Sequence, residues 1–95
     1  MELTFDGEVI EWRGPAPFVW VRVPDGESAE IAAVARSLTY GWGCIPVAVS
    51  ISGSDWTTAL MPKDGRYLVP LRKAFREAAG IEVGDVVAVG LAFGA

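Results

Sequence analysis

The sequence predicts a mainly β, α+β fold: a six-stranded split β-barrel with a pseudo-two-fold repeat and two short helices, spanning residues 1–95 as a single domain. Three observations point there. Strand-like runs carry large branched residues on one face and small ones on the other, as with Val47, Val49 and Ile51 against Ala48 and Ser50. The run 66–91, RYLVPLRKAFREAAGIEVGDVVAVGL, reads as strand, proline, helix, glycine stop, turn and strand. That order also occurs earlier, through VRVP (21–24), a helix and IPVAVSI (45–51), matching YLVP (67–70), a helix and DVVAVGL (85–91). An α+β sheet without closure is the alternative architecture.

Taken in order, residues 2–12 form the first strand, with Leu3 and Phe5 on one side and a bulge expected at Gly7. Residues 13–17 hold two prolines and make a turn. Residues 18–23, FVWVRV, form the second strand, with Val19, Val21 and Val23 inward and Phe18, Trp20 and Arg22 outward. A one-residue slip in register would exchange those two sets. Residues 24–27 turn the chain, Ser28 is placed to cap a helix through its hydroxyl, and Ile31, Val34, Ala35 and Leu38 follow at helical spacing. Tyr40-Gly41-Trp42-Gly43 suits a loop. Residues 45–52 and 55–61 form the next two strands around a Gly53-Ser54 hairpin turn, and Pro62-Lys63-Asp64-Gly65 turns into the fifth strand.

The second helix is expected to start at Pro70, where a proline costs no hydrogen bond. Leu71, Ala74, Phe75 and Ala78 give it one apolar stripe. Gly80 supplies its left-handed stop, and Ile81 folds back towards Phe75. Glu82-Val83-Gly84-Asp85 reads as a β-turn, and residues 86–93 alternate as the sixth strand.

Composition excludes more than it assigns. The chain is 52% hydrophobic and 21% charged, and no apolar run approaches the ~20 residues of a membrane span. Its start, MELTFDGEVIEW, is acidic and alternating, unlike a signal peptide, and Cys44 is the one cysteine. Both favour a cytoplasmic location. The net charge of −4 speaks against nucleic acid as a partner. There is no histidine, which removes the commonest neutral-pH acid/base group and the His-dependent nucleophiles. No phosphate loop or dinucleotide fingerprint is present, so no cofactor, no metal and no catalytic residue is assigned. Carboxylate pairs such as Glu8 with Glu11, or Asp55 with Asp64, are the sort that twelve acids generate by chance. Cys44 reads as a small buried hydrophobe.

The FVWVRVP strand, Gly41-Trp42-Gly43 leading into IPVAVSISG, and Asp64-Gly65-Arg66-Tyr67-Leu68-Val69-Pro70 leading to Arg76 and Gly84-Asp85 resemble a family of small bacterial proteins, domain of unknown function 1905. The resemblance spans nearly the whole chain and brings no catalytic residues. Val69-Pro70 through Arg76 to Gly84-Asp85 is also similar to one half of the AbrB-like transition-state regulators and antitoxins, which implies a double-split β-barrel.

The candidate site residues are aromatic and basic. Trp20 and Arg22, with Phe18, form an outward stripe suited to a protein partner or a planar ligand. Tyr40 and Trp42 are a second pair of anchors. Tyr67 and the second-helix bases Arg72, Lys73 and Arg76 join Trp42 in a candidate pocket for a metabolite anion, while an ion pair from Arg76 to Asp85 or Glu82 is its structural alternative. The expected function is a non-catalytic binding or oligomerisation module, acting on a protein partner or on itself. A small-anion-binding barrel is the alternative, and an AbrB-like DNA-binding regulator the second.

Overall fold

The computed structural model of the chain describes residues 1–12, 18–38 and 44–93. The expected turn at 13–17 and the expected loop at 40–43 lie outside them. The elements are β1 (Glu2–Trp12), β2 (Phe18–Arg22), α1 (Asp25–Leu38), β3 (Ile45–Ile51), β4 (Ser54–Lys63), β5 (Arg66–Leu71), α2 (Lys73–Ala79) and β6 (Val86–Ala92). The strands close into an antiparallel barrel in the order β1-β2-β5-β4-β3-β6. β1 and β4 each serve two sheets: β1 pairs with β6 over Glu2–Glu8 and with β2 over Val9–Trp12, and β4 passes from β3 to β5 near Leu60.

The repeat read from the sequence is built into this pairing. Aligning 21–24 with 67–70 makes Arg22 equivalent to Leu68, and those two residues face each other across β2 and β5. Aligning 45–51 with 85–91 makes Ser50 equivalent to Gly90, and they are partners across β3 and β6. A pseudo-two-fold axis therefore passes through both pairs and leaves the barrel through two opposite faces.

Alternation fills the interior. Phe5, Val9, Val19, Val21, Val47, Val49, Ile51, Trp56, Leu60, Val69, Leu71, Val89 and Leu91 are all buried. Because β2 and β5 are antiparallel, the helices that follow them leave at opposite ends. α1 closes one end with fully buried Ile31. α2 closes the other, where Phe75 stacks on Trp56 at 4.5 Å between ring centroids. On the small outer faces of β3 and β6, Ala48, Ser50, Ala88 and Gly90 line shallow depressions.

Four local expectations are corrected. Gly7 makes no bulge: it pairs with Val87, and burial alternates unbroken through Phe5, Gly7 and Val9. Its lack of a side chain serves packing, since a Cβ there would lie 2.5 Å from Val21 Cγ1. Ser28 is not a helix cap, because α1 starts at Asp25 with Asp25 and Glu27 in its first turn, favourable to the helix dipole. Its buried hydroxyl instead donates to the Val23 carbonyl at 3.2 Å and accepts from the Tyr67 N–H at 3.3 Å.

Pro70 does not start α2. It sits inside β5 opposite Trp20, and the helix runs only from Lys73 to Ala79. The Val23 N–H donates to the Tyr67 carbonyl, so odd residues of β5 turn their backbone groups to β2 and even ones to β4. The β4–β5 ladder ends at Met61–Leu68, so the missing N–H of Pro70 costs no ladder bond. Both hairpin turns also differ from expectation: the first lies one residue earlier, at Ser52-Gly53, and the second is confined to Asp64-Gly65. Ser52-Gly53 and Asp64-Gly65 have φ of 51° and 79°, and 52° and 78°, the positive pairs of a type I′ turn. β4 consequently continues through Pro62 to Lys63.

The expected end of α2 is as built. Gly80 is left-handed at φ 67°, and the Ile81 N–H reaches back to the Arg76 carbonyl at 2.9 Å, with Ile81 buried. The 82–85 turn closes through Asp85 N–H to the Glu82 carbonyl, and Val9 N–H and C=O pin it to β1.

Candidate functional site: an aromatic groove outside the barrel

The two faces of β2 are disposed as expected. Val19, Val21 and Val23 are buried, while Phe18 and Arg22 are exposed and Trp20 is half-buried. The Phe18 and Trp20 rings lie 4.7 Å apart, tilted at 42°. Register adds neighbours on the same outer face: Ile10 opposite Trp20, Trp12 opposite Phe18, Leu68 opposite Arg22, and Met61 opposite Leu68.

This outer face is concave. Leu68 points away from the core, yet it is only 8% exposed. In the strand ladder Trp12 and Lys63 stand at opposite corners of the β1-β2-β5-β4 face. Strand twist brings such diagonal corners together, and Lys63 Nζ sits 4.1 Å from the centroid of the Trp12 ring. Beneath that contact lies a groove of about 430 Å³, lined by Ile10, Trp20 and Leu68 and by the charges Arg22, Lys63, Arg66, Glu11 and Asp64.

Three cations and two carboxylates line this groove on a chain of net charge −4. Their engagement differs. Arg66 pairs with Asp25 at 2.7 Å, and Lys63 is held over Trp12. Arg22 has no ion-pair or hydrogen-bond partner among the described residues. Trp20 Nε1–H is covered and donates no hydrogen bond among the described residues, so what Trp20 offers the groove is its ring.

The other predicted site residues are not brought together. Tyr40 and Trp42 lie outside the described residues. Tyr67 is buried in the core at the α1 end, whereas Arg72, Lys73 and Arg76 are at the α2 end. The expected Tyr67 and helix-base pocket is therefore divided by the length of β5. Arg72 is exposed, Lys73 pairs with Glu77 at 3.8 Å along the helix, and Arg76 is half-buried with its Nε covered and unbonded. The expected Arg76 ion pair is not formed among the described residues, because Asp85 accepts the Glu82 N–H at 2.9 Å instead. Asp55 and Asp64 stand at opposite ends of β4. Cys44 is half-buried, its thiol 3.3 Å from Met61 Sδ. No described helix is long and apolar enough to cross a membrane.

Of the residues lining the groove, the sequence singles out Trp20 and Arg22 and not Trp12, Lys63, Arg66 or Leu68. Trp12 is legible as an even-numbered residue of the first strand, sharing a face with Ile10. Lys63 is not, because the Pro62-Lys63-Asp64-Gly65 pattern reads as a turn.

The family model for Domain of unknown function (DUF1905) matches residues 5–91. The chain belongs to this family. The match takes in β1 from Phe5 to the end of the β6 core residues, so the family domain and the barrel coincide, and the groove lies wholly within it. No curated protein matches the chain.

Proposed function

We propose that this domain is a non-catalytic binding module, and that the groove at Trp20 and Arg22 is its recognition face. One observation carries the reading: an arginine without a partner among the described residues stands beside a half-buried tryptophan in a concavity whose floor, Leu68, is already closed to water. Aromatic and arginine side chains meeting in a concavity are the composition that binding sites favour. The non-catalytic part of the reading rests on residue types, chiefly the absence of histidine. The groove rim, with Trp12 at 55% and Phe18 at 38% exposure, also gives this face apolar area for self-association.

The test is a fragment screen read by two-dimensional NMR on labelled protein. Bound fragments are expected to shift the Trp20 indole signal and the amides of Ile10, Arg22 and Leu68, and Trp20→Ala with Arg22→Ala should abolish those shifts while the melting curve stays cooperative. Fragments gathering around Ser50 and Gly90 instead would sink the proposal. Sedimentation velocity across a hundredfold concentration range, repeated with Trp20→Ala, decides whether a second copy uses the same face.

A further inference from the structure

Resting on that reading of the groove, we infer that its ligand is a small planar aromatic anion, with the ring on the Trp20 and Trp12 side and a carboxylate or similar anionic group on Arg22. The size of the groove, about 430 Å³, falls in the range of small-molecule sites and is concave rather than flat. Its apolar elements are ring faces and branched side chains: Trp12, Trp20, Ile10 and Leu68. A flat π-system is the shape that lies against such surfaces with least loss.

Charge selects the other half of the ligand. Of the three lining cations, Arg66 is neutralised by Asp25, and Lys63 is committed to the Trp12 ring. Arg22 alone keeps its planar fork of donors unspent among the described residues, and that fork matches a carboxylate in two parallel hydrogen bonds. Arg22 also lies on the pseudo-two-fold axis opposite Leu68, at the centre of the face rather than on its rim. A carboxylate bound there sits above the floor that Leu68 closes. The Lys63–Trp12 contact spans the groove above it, so a ligand entering from that side displaces or slides beneath Lys63.

The experiment uses three probes on the intact chain: 2-naphthoate, its neutral counterpart 2-naphthamide, and cyclohexanecarboxylate, which keeps the charge and lacks the ring. Binding is followed by NMR shifts of the indole N–H signals and by quenching of tryptophan fluorescence. The inference expects saturable 2-naphthoate binding at the groove, weaker by about tenfold or more for each control, since a hydrogen bond to a charged group is worth at least that factor. Arg22→Gln should bring 2-naphthoate down to the level of 2-naphthamide, and Trp20→Leu should weaken both aromatic probes. Gly90→Ala, on the β3–β6 face away from the groove, should change nothing.

Equal affinity for the acid and the amide at the groove would overturn the anionic part and leave the groove as a binding face. Capture of a short acidic, aromatic peptide with no saturable 2-naphthoate binding would overturn the small-molecule part in favour of a protein partner. Naphthoate shifts confined to residues outside the groove would overturn both the inference and the proposed face.

Discussion

Gly7 and Gly90 are both glycines inside strands, and their surroundings give them opposite roles. An alanine Cβ at Gly7 would meet Val21 Cγ1 at 2.5 Å and the Arg22 carbonyl at 3.0 Å, so either the core or the backbone of β2 must move. Overpacking of this kind costs about 1–3 kcal/mol, and Gly7→Ala is expected to lower the urea midpoint accordingly. At Gly90 the nearest atom would be Ser50 Cβ at an ordinary 3.7 Å, so Gly90→Ala should stay within ~0.5 kcal/mol of the parent. Equal effects at the two sites would refute the packing account. Ser28 supplies a second contrast. Where β2 gives way to α1, the Ser28 hydroxyl sits between the Tyr67 N–H, from which it accepts, and the Val23 carbonyl, to which it donates. Ser28→Ala leaves that buried donor without an acceptor, a loss of about 1–3 kcal/mol measurable in the same titration, together with faster hydrogen exchange at Tyr67.

At the scale of elements, α2 is too short to hold itself. Seven residues are below the length at which an isolated helix is stable in water, and Arg72 gives it no side-chain cap. Its order comes from the Gly80 stop and from Phe75 seated on Trp56 with the ring planes 12° apart. Phe75→Ala should therefore cost roughly 2 kcal/mol, less than a fully buried phenylalanine, and should alter the near-ultraviolet signal of Trp56. An unchanged near-ultraviolet spectrum would mean that the stack is not formed in solution. The two I′ hairpins work the other way: Ser52-Gly53 and Asp64-Gly65 set strand register locally, and the tightness of the second places Lys63 in β4, from where it reaches Trp12. The groove thus depends on a turn.

For the whole molecule, the pairing order matters more than any single contact. The first half of the repeat contains β1, β2, α1 and β3, yet within it only β1 and β2 are paired. The β1–β6, β2–β5, β3–β4 and β3–β6 ladders all join one half to the other. Fragments 1–52 and 53–95 are expected to be unfolded alone and to gain β-type circular dichroism when mixed. A separately folded half would contradict the interleaved barrel. Because its ladders join distant parts of the sequence, the domain should fold in milliseconds to seconds rather than microseconds.

The sequence by itself determined the barrel class, the division of each strand into two unlike faces, and the repeat. All three follow from side-chain period and from the recurrence of strand, proline, helix and strand, and both are local properties of the chain. It also set Trp20 and Arg22 on the face opposite Val19, Val21 and Val23, and the strand pairing decided that the valines are the buried set. Tertiary structure decided what local pattern cannot encode. Pro70 belongs to a strand because β4 has peeled away beside it, Ser28 bonds across to β5 rather than capping its own helix, and Gly7 admits Val21 from a neighbouring strand. Tyr67 and the bases of α2, close in sequence, were separated by the length of a strand. Trp12 and Lys63, 51 positions apart (63 − 12), were brought within 4.1 Å of each other, because twist acts on the whole sheet and no single segment carries it.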